Sequence, residues 1–339
     1  MVVGLLLLTL LPPGLAATEG VQAFGNVFVI VGENTELSQL NMTTAPYIIG
    51  MIKPASAWLT DYFAVTHHSE ANYVAMTSGQ FTVCQQNNGP VASCSQKVSN
   101  LFHQLDDANL SWRSWMESMP QSCYLLPSGS EDNLNVYTPT HNPALFYDDL
   151  VTAGTVPSDE CLQRDIPAGT TGPNDMSAFN AALASGNVAR FNYIVPNNCE
   201  NGHSNCSPGN QITQFDTFLA SEVPLIIAST AYGSDGVIIV TFDEGIYAGR
   251  NVMFAVISPL VKVGVYSGLF DHYSFLRTME DGLRLTGFLG NATTARPISA
   301  IWTQQTGIPE FNSIVIIEVF ALVALRYSLR RRFRQSRNK

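Results

Sequence analysis

Five short apolar runs, each followed at once by polar residues, do most to constrain the fold of this 339-residue chain. Each has four to six residues, many of them β-branched, without the regular alternation of a half-exposed strand. Such runs are typical of strands covered on both faces, as in a parallel sheet. The runs are VFVIV at 27–31, YFAV at 62–65, FNYIV at 191–195, VIIVTF at 237–242 and VMFAVI at 252–257. Weaker helical patterns lie between them, for example at 213–222 and 273–285, so the sequence predicts an α/β fold with a mostly parallel central sheet flanked by helices.

The polar residues that follow these runs indicate where a functional site lies. In open parallel sheets, ligands bind outside the carboxyl ends of the strands, where loops and helix amino termini converge. If the runs are parallel neighbours, the residues after three of them meet along one edge. These residues are Glu33, Asn34, His67, His68, Ser69, Asp243 and Glu244.

Ser69 lies where a strand should pass into a helix beginning EANYVAM. One interpretation is an ordinary N-cap, because serine is favoured there, although a capping box would need Glu or Gln where the chain has Asn72. The other interpretation is a nucleophile at a helix amino terminus, where free N–H groups and the positive end of the helix dipole suit a phosphoryl oxygen.

The acidic residues after two of the runs also allow two interpretations. Asp243, Glu244 and Gly245 could form a solvated turn, and so could Glu33 and Asn34. Together, however, three carboxylates and an amide oxygen at the ends of neighbouring strands would repel one another without a positive charge. They are the ligand types that divalent cations prefer.

Histidines supply candidates for proton transfer. His203 and His272 stand in polar contexts beside predicted helices, and His68 directly precedes Ser69. His141 and His103 are weaker candidates. The chain has no Gly-x-Ser-x-Gly, Gly-x-Gly-x-x-Gly or Walker pattern, which argues against an α/β-hydrolase esterase and against a nucleotide-cofactor enzyme.

Five ordered pieces of this sequence resemble those of the secreted phosphoesterases. That family includes bacterial acid phosphatases and phosphatidylinositol-3-phosphatases, and it is related to phospholipases C and, more distantly, to alkaline phosphatases. The pieces are VFVIVGEN, THHSEANYVAMTSG, YIVPNN, VIIVTFDEG and DHYSFLRTMEDG, spanning roughly residues 24–300. The second piece is also similar to the nucleophile turn of nucleotide phosphodiesterases, with Ser69 matching the threonine and Asn72 the asparagine.

The resemblance implies an alkaline-phosphatase-like fold and metal-assisted hydrolysis of phosphomonoesters through a phosphoserine on Ser69. It implies that Asn72 and His67 bind substrate and that His68, His203 or His272 protonates the leaving oxygen. It also implies that a divalent cation of unknown identity is held by four residues, Glu33, Asn34, Asp243 and Glu244. An imidazolium acid is most populated at mildly acidic pH, which favours an acid phosphatase acting on small phosphomonoesters or phosphoinositides.

Two departures from the family pattern keep alternatives open. Relatives often show Asn-Asp-x-His-Asp after the Pro-Asn, whereas this chain reads NNCENGHSN, which keeps His203 and lacks both aspartates. One cation is therefore expected rather than two. The pair His67-His68 replaces a His-Pro, so which ring faces the phosphate stays open. The alternatives are a phospholipase C-type phosphodiesterase and an inactive surface glycoprotein with the same fold.

The amino-terminal end and the cysteines predict a secreted protein. Residues 1–17 read as a signal peptide, and the phosphoesterase domain is expected over 18–305. Six cysteines suit an oxidising compartment, with Cys84–Cys94 and Cys199–Cys206 as the preferred local pairs. Four glycosylation sequons are present, at Asn41, Asn109, Asn205 and Asn291.

The carboxyl-terminal end carries an apolar segment, 306–325, and a basic tail, 326–339, with seven of the 17 basic residues. Without the tail the chain has 10 basic and 27 acidic residues, a balance that excludes a nucleic-acid partner. The apolar segment is a possible membrane anchor, because basic residues favour the cytosolic side. Against this, its apolar run is short and contains Glu318.

Overall fold

The computed structural model describes residues 20–82, 84, 89–126, 136–172, 175–206, 209–246 and 250–303. The predicted signal peptide, anchor segment and basic tail lie outside the described residues. Within these residues, none of the helices combines the length and the apolar character that crossing a membrane requires. The four sequon asparagines are exposed.

An eight-stranded sheet forms the centre of the fold, and two two-stranded ribbons accompany it. The strand order in the sheet is β11-β2-β10-β9-β1-β8-β4-β7. The strands of the molecule are β1 (Val27–Gly32), β2 (Ala57–Leu59), β3 (Tyr62–Phe63), β4 (Trp112–Met116), β5 (Val151–Thr152), β6 (Val156–Pro157), β7 (Asp165–Pro167), β8 (Phe191–Val195), β9 (Val237–Phe242), β10 (Phe254–Ile257), β11 (Gly264–Tyr266) and β12 (Phe270–Asp271).

Strand direction confirms the prediction of a mostly parallel sheet. Every neighbouring pair in it is parallel except the two pairs that β10 makes, with β9 and β2. The central strands β1, β8 and β9 are buried throughout, as expected for strands covered on both faces.

Two of the five predicted strands differ from expectation. The run at 252–257 forms β10, which is antiparallel, so its polar end at Ser258 lies at the opposite edge from Glu33. The run at 62–65 gives only β3, which pairs with β12 outside the main sheet. Both runs are apolar because they are buried, and burial does not determine which strand they pair with.

Helices cover both faces of the sheet. They are α1 (Ser69–Ser78), α2 (Leu101–Asp107), α3 (Asp159–Arg164), α4 (Ser177–Ser185), α5 (Gln211–Ala228) and α6 (His272–Gly282). On one face Phe28 of β1 packs against Phe179 of α4. On the other face Tyr193 of β8 packs against Tyr73 of α1. Because side chains alternate along a strand, these contacts place α1 and α4 on opposite sides of the sheet.

Three disulfides link the six cysteines. Cys84–Cys94 and Cys199–Cys206 confirm the two predicted local pairs. The third joins Cys123 to Cys161, which are 38 residues apart and tie the segment after β4 to α3. The Cys199–Cys206 bridge closes the loop after β8, which carries His203.

Candidate active site

The site begins where β1 and β9 end side by side. Gly32 is paired with Phe242, so the next residues, Glu33 and Asp243, leave the sheet at the same edge. The Asp243 N–H donates to the Gly32 carbonyl at 3.0 Å. Both carboxylates are fully buried, and Glu244, the next residue, is 2% exposed. Parallel pairing therefore brings three acids together, as the positions in the sequence suggested.

Ser69 reaches this cluster from the first turn of α1. Its hydroxyl donates to Oε2 of Glu33 at 3.0 Å, and the side chain is buried. The N-cap of α1 is His68, and no side chain caps this helix. Ser69 is the first residue of the helix, and its hydroxyl is hydrogen-bonded to a carboxylate. The interpretation of Ser69 as an ordinary N-cap is therefore wrong.

The loop before Ser69 is held by Asn72 and Glu244. Oδ1 of Asn72 accepts the N–H groups of Val65 at 3.0 Å and Thr66 at 3.1 Å. Its Nδ2 donates to Oε2 of Glu244 at 3.1 Å, and the same oxygen accepts the His68 N–H. His68 has φ 117°, which L-residues rarely adopt. Strain of this kind persists where surrounding contacts hold it, and it is common at functional sites.

The other oxygen of Glu33 is contacted by Tyr73, which the sequence analysis did not single out, and by His141, one of its weaker histidine candidates. The Tyr73 hydroxyl donates to Oε1 at 2.7 Å, and Nε2 of His141 lies 3.4 Å from the same atom. Tyr73 is four residues after Ser69, so both lie on one face of α1, and that spacing could have identified it. His141 is brought in by a loop far along the chain, which local sequence does not reveal.

The contacts of His141 define its tautomer. Burial, and then the nearby His203, hold the pKa of His141 well below its usual range. The Asn201 side-chain amide lies 3.5 Å from Nδ1, which leaves the proton on Nε2 facing Glu33. His203 is exposed, and its ring centre lies 5.3 Å from that of His141.

His272 is enclosed and has both ring nitrogens engaged. Nε2 lies 2.6 Å from the carbonyl oxygen of Asp243, and Nδ1 lies 2.8 Å from the Tyr62 hydroxyl. A carbonyl only accepts, so Nε2 carries the proton. Burial lowers the pKa of His272 to about 4. These contacts favour a role in positioning Asp243 over donation of a proton to a substrate.

His67 and His68 lie at the more open side of the cluster. Nδ1 of His67 is 3.2 Å from Oε1 of Glu244, and its side chain is 41% exposed. The two rings are 4.9 Å apart between centres. His68 is half-buried and directly precedes Ser69. Histidines thus flank the acids both near Glu244 and near Glu33.

Burial and mutual repulsion disfavour the charged forms of Glu33, Asp243 and Glu244. Burial raises the pKa of Asp243 to about 7. Burial, followed by repulsion from Asp243, raises the pKa of Glu244 to about 9 and that of Glu33 well above its ordinary value. In the described ranges no lysine or arginine lies within ion-pair distance of any of the three. A positive charge is what this arrangement lacks.

The residues at the strand ends offer oxygen ligands of the kind that a divalent cation takes. Oδ1 of Asp243 accepts the N–H groups of Glu244 at 2.6 Å and Asn34 at 3.4 Å. Its Oδ2 is buried and has no hydrogen-bond partner among the described residues. An unpaired carboxylate oxygen among other oxygen donors fits a hard divalent cation.

The carboxylates do not form a closed metal cage. Two clusters in the described part of the chain bring three ligand atoms within 4.8 Å of one another, and each contains a disulfide-bonded pair of cysteines. Glu33, Asp243 and Glu244 are not in these clusters. The three residues therefore do not each place one oxygen within 4.8 Å of the other two, although their chemistry suits a divalent cation.

Comparison with known proteins adds to this geometry. The model of the phosphoesterase family matches residues 24–286, which include both strand ends and α1. The chain belongs to the phosphoesterase family. This phosphoesterase is 26% identical over 293 residues to a phosphatidylinositol-3-phosphatase of Mycobacterium tuberculosis, an alignment that covers 85% of the chain and 86% of that relative.

Fungal relatives match a shorter part of their own length. The phosphoesterase is 26% identical over 263 residues to an acid phosphatase of Aspergillus fumigatus, covering 75% of the chain and 54% of the relative. The chain thus spans little more than half the length of the fungal relatives it matches.

Solved structures confirm the fold expectation. A protein of the alkaline phosphatase superfamily from Vibrio parahaemolyticus superposes with a TM-score of 0.56 at 10% identity, covering 84% of the chain and 72% of that protein. Identity this low supports the alkaline-phosphatase-like fold alone.

Proposed function

We propose that the chain is a metal-assisted phosphatase that hydrolyses phosphomonoesters at acidic pH through a phosphoserine on Ser69. The observation that carries this proposal is the hydrogen bond from the Ser69 hydroxyl to Glu33 at the edge of a buried cluster of acids. A solvated turn or a simple helix cap would not require three buried carboxylates around one serine.

The first half of the reaction transfers the phosphoryl group to Ser69. Oε2 of Glu33 takes the hydroxyl proton while Oγ attacks phosphorus in line. The new Oγ–P bond forms as the bond from phosphorus to the ester oxygen breaks. His68 or His203 gives a proton to the departing oxygen, and the alcohol leaves. His272 is a poorer donor because both of its nitrogens are engaged within the protein.

The second half returns the enzyme to its starting state. The same histidine, now neutral, takes a proton from a water molecule that attacks the phosphoserine. The Oγ–P bond breaks, phosphate is released, and Oγ recovers its proton from Glu33. The N-cap residue His68 makes no side-chain cap, and the amino terminus of α1 would stabilise the phosphoryl oxygens during both halves.

The residues that would hold the cation are Glu33, Asn34, Asp243 and Glu244, with Ser69 beside them. When bound, a divalent cation supplies charge neutralisation for the phosphoryl oxygens and lowers the pKa of the serine hydroxyl. The protein residues bury and orient these oxygens, and Tyr73 and His141 fix the orientation of Glu33.

The substrate class is proposed from the relatives and from the acid preference. The fungal relatives are named acid phosphatases, and the mycobacterial one is named a phosphatidylinositol-3-phosphatase. We therefore propose small phosphomonoesters and phosphoinositides as substrates. The disulfides agree with a secreted or extracellular protein.

One assay tests the function. Hydrolysis of p-nitrophenyl phosphate and of p-nitrophenyl phosphorylcholine is measured from pH 4 to 9, with and without chelator. Ser69→Ala is compared with Ser78→Ala, which removes a buried hydroxyl at the other end of α1 that donates to the Val74 carbonyl. We expect an acidic optimum on the monoester and a loss of at least ~10³-fold in Ser69→Ala alone, as for a nucleophile.

Other outcomes separate the alternatives. Faster turnover of the choline diester would favour a phospholipase C-type phosphodiesterase. Equal activity of Ser69→Ala and Ser78→Ala would exclude Ser69 as the nucleophile. No turnover of either ester under any condition would favour an inactive surface protein.

A further inference from the structure

A cleft of about 600 Å³ opens beside the loop that leads to Ser69, outside the carboxylate cluster. Its walls come from the ribbon of β3 and β12, from the first turn of α6, and from the segments around positions 250 and 296. Its volume lies in the range of small-molecule sites. The lining includes four apolar residues and two arginines, namely Phe63, Val65, Leu269, Phe270, Arg250 and Arg296.

The residues that hold the acid cluster also hold the walls of this cleft. The Val65 N–H is bound by Asn72, whose amide nitrogen is bonded to Glu244. On the other wall, both sequence neighbours of His272 line the cleft, while His272 itself contacts the Asp243 carbonyl. The cleft is therefore adjacent to the proposed phosphoryl site, on the side where the nucleophile loop leaves β3.

The two arginines bring positive charge into a mostly apolar cleft. Arg250 donates to the Val65 carbonyl at 3.0 Å, and Arg296 donates to the Leu269 carbonyl at 3.2 Å. Arg296 also lies 4.7 Å from the centre of the Phe270 ring. Neither guanidinium has a carboxylate within 4 Å in the described ranges. Only 10 basic residues precede position 304, so two in one cleft are a marked concentration.

We propose that this cleft binds the leaving group of the substrate, and that this group carries both an apolar part and a second negative charge. The inference rests on the proposed phosphatase function and specifies its substrate class. Planar guanidinium groups match phosphate oxygens. The Leu269 side chain is 70% exposed to water, so an apolar part of the leaving group could pack against it. Asp271, the one acid in the lining, accepts the Ser274 N–H as the cap of α6.

Binding is tested first, without catalysis, in the full chain carrying Ser69→Ala. The probes are dibutanoyl phosphatidylinositol, a phospholipid, and cyclic adenosine 3′,5′-monophosphate, a nucleotide. Both join an apolar part to a phosphodiester anion. Titration calorimetry should show binding that weakens about tenfold with Arg250→Gln and again with Arg296→Gln, the scale of a hydrogen bond to a charged group.

The matched control is Arg113→Gln in β4. This variant removes a guanidinium that also bonds a backbone carbonyl and lies over an aromatic ring. Binding of the lipid probe alone assigns a phospholipid leaving group, and binding of the nucleotide alone assigns a nucleoside.

Hydrolysis is tested second. With Ser69 intact, dibutanoyl phosphatidylinositol 3-phosphate and adenosine 3′,5′-bisphosphate are compared with glycerol 2-phosphate, which has neither an apolar part nor a second charge. Arg296→Gln should raise KM for whichever of the first two substrates is accepted by more than it raises KM for glycerol 2-phosphate. Leu269→Ser, at a position where the side chain is 70% exposed, should do the same.

The two proposals fail in different ways. The cleft proposal is wrong if the chain has phosphatase activity but binds neither probe. It is also wrong if the arginine variants bind the probes as well as Arg113→Gln does. Arginine-dependent binding with no hydrolysis of any ester overturns the proposed phosphatase function and supports the cleft as a binding site for an apolar anion.

Discussion

The Tyr73 hydroxyl donates a hydrogen bond of 2.7 Å to Oε1 of Glu33, the carboxylate whose other oxygen accepts the Ser69 hydroxyl. Tyr73 and Ser69 are one helical turn apart on α1, so a single helix face supplies both donors. The nucleophile and the group that orients its base are thus fixed relative to each other by regular helix geometry.

Removal of the Tyr73 hydroxyl should therefore lower kcat with little change in KM. We expect Tyr73→Phe to lose about tenfold or more in kcat, because the hydrogen bond orients the carboxyl that takes the Ser69 proton. The control is Tyr193→Phe, whose ring packs against Tyr73 and whose hydroxyl donates to the Met76 sulfur at 4.0 Å. Steady-state kinetics measure both variants, and an equal loss in the two would show that Tyr73 acts through packing alone.

The histidine that protonates the leaving group should be revealed by the leaving group itself. p-Nitrophenolate departs without help, whereas the alkoxide of glycerol 2-phosphate needs a proton. For the residue that acts as the acid, His68→Asn or His203→Asn should cost about 100-fold on glycerol 2-phosphate and much less on p-nitrophenyl phosphate. His272→Asn should slow both substrates equally, because it disturbs Asp243. A larger loss on glycerol 2-phosphate for His272→Asn would make that ring the acid.

Loss of the cation and loss of one carboxylate should have opposite effects on stability. Without cation, Asp243→Asn should raise the unfolding midpoint, because it relieves repulsion among buried acids whose pKa values are raised. With saturating divalent cation the wild type should gain several degrees through mass action, and the variant should gain less. Differential scanning fluorimetry with a chelator and a series of metals measures both. A lower midpoint for Asp243→Asn in the presence of chelator would contradict the repulsion argument.

Stability should fall as pH rises, because burial raises the pKa of carboxyl groups outside the site as well. Burial raises the pKa of Asp165 to about 7 and that of Glu280 to about 8. A carboxyl whose pKa is raised in the folded state binds more protons there than in the unfolded chain. Its contribution is therefore complete below the unfolded pKa of about 4 and is lost as pH rises through the folded value.

Unfolding midpoints from pH 4 to 9 test this dependence. Asp165→Asn should flatten the profile between about pH 4 and 7. Asp175→Asn is the control, because hydrogen bonds from Ser177 and Thr170 hold the pKa of Asp175 below its ordinary value, outside this window. An unchanged slope in Asp165→Asn would exclude that carboxyl as a source of the dependence.

Much of the sheet could be predicted from the sequence, because a strand that is buried on both faces is a continuous apolar run. β1, β8 and β9 are continuous apolar runs, and the acids after β1 and β9 come together because these two strands are parallel neighbours. The direction of β10 and the separate ribbon of β3 could not be predicted in the same way. Strand pairing depends on contacts between distant parts of the chain, which an apolar run does not encode.

The site was predictable to the same extent. Glu33, Asp243 and Ser69 follow strand-like runs, and their polar character at these positions is visible in the sequence. His141 comes from a segment with no periodic pattern and reaches Glu33 only through the folded chain. The two arginines of the cleft are 46 residues apart and share a wall only because β3 and β12 pair.

The central claim is that Ser69 accepts the phosphoryl group, and trapping of the intermediate tests it most directly. The enzyme is mixed with p-nitrophenyl phosphate at acidic pH, quenched in acid within milliseconds, digested and analysed by mass spectrometry. We predict one added phosphoryl group on the peptide that contains Ser69, absent from Ser69→Ala and unchanged in Ser78→Ala. Full turnover with an unmodified Ser69 peptide, or with the phosphoryl group on a histidine, would contradict this account.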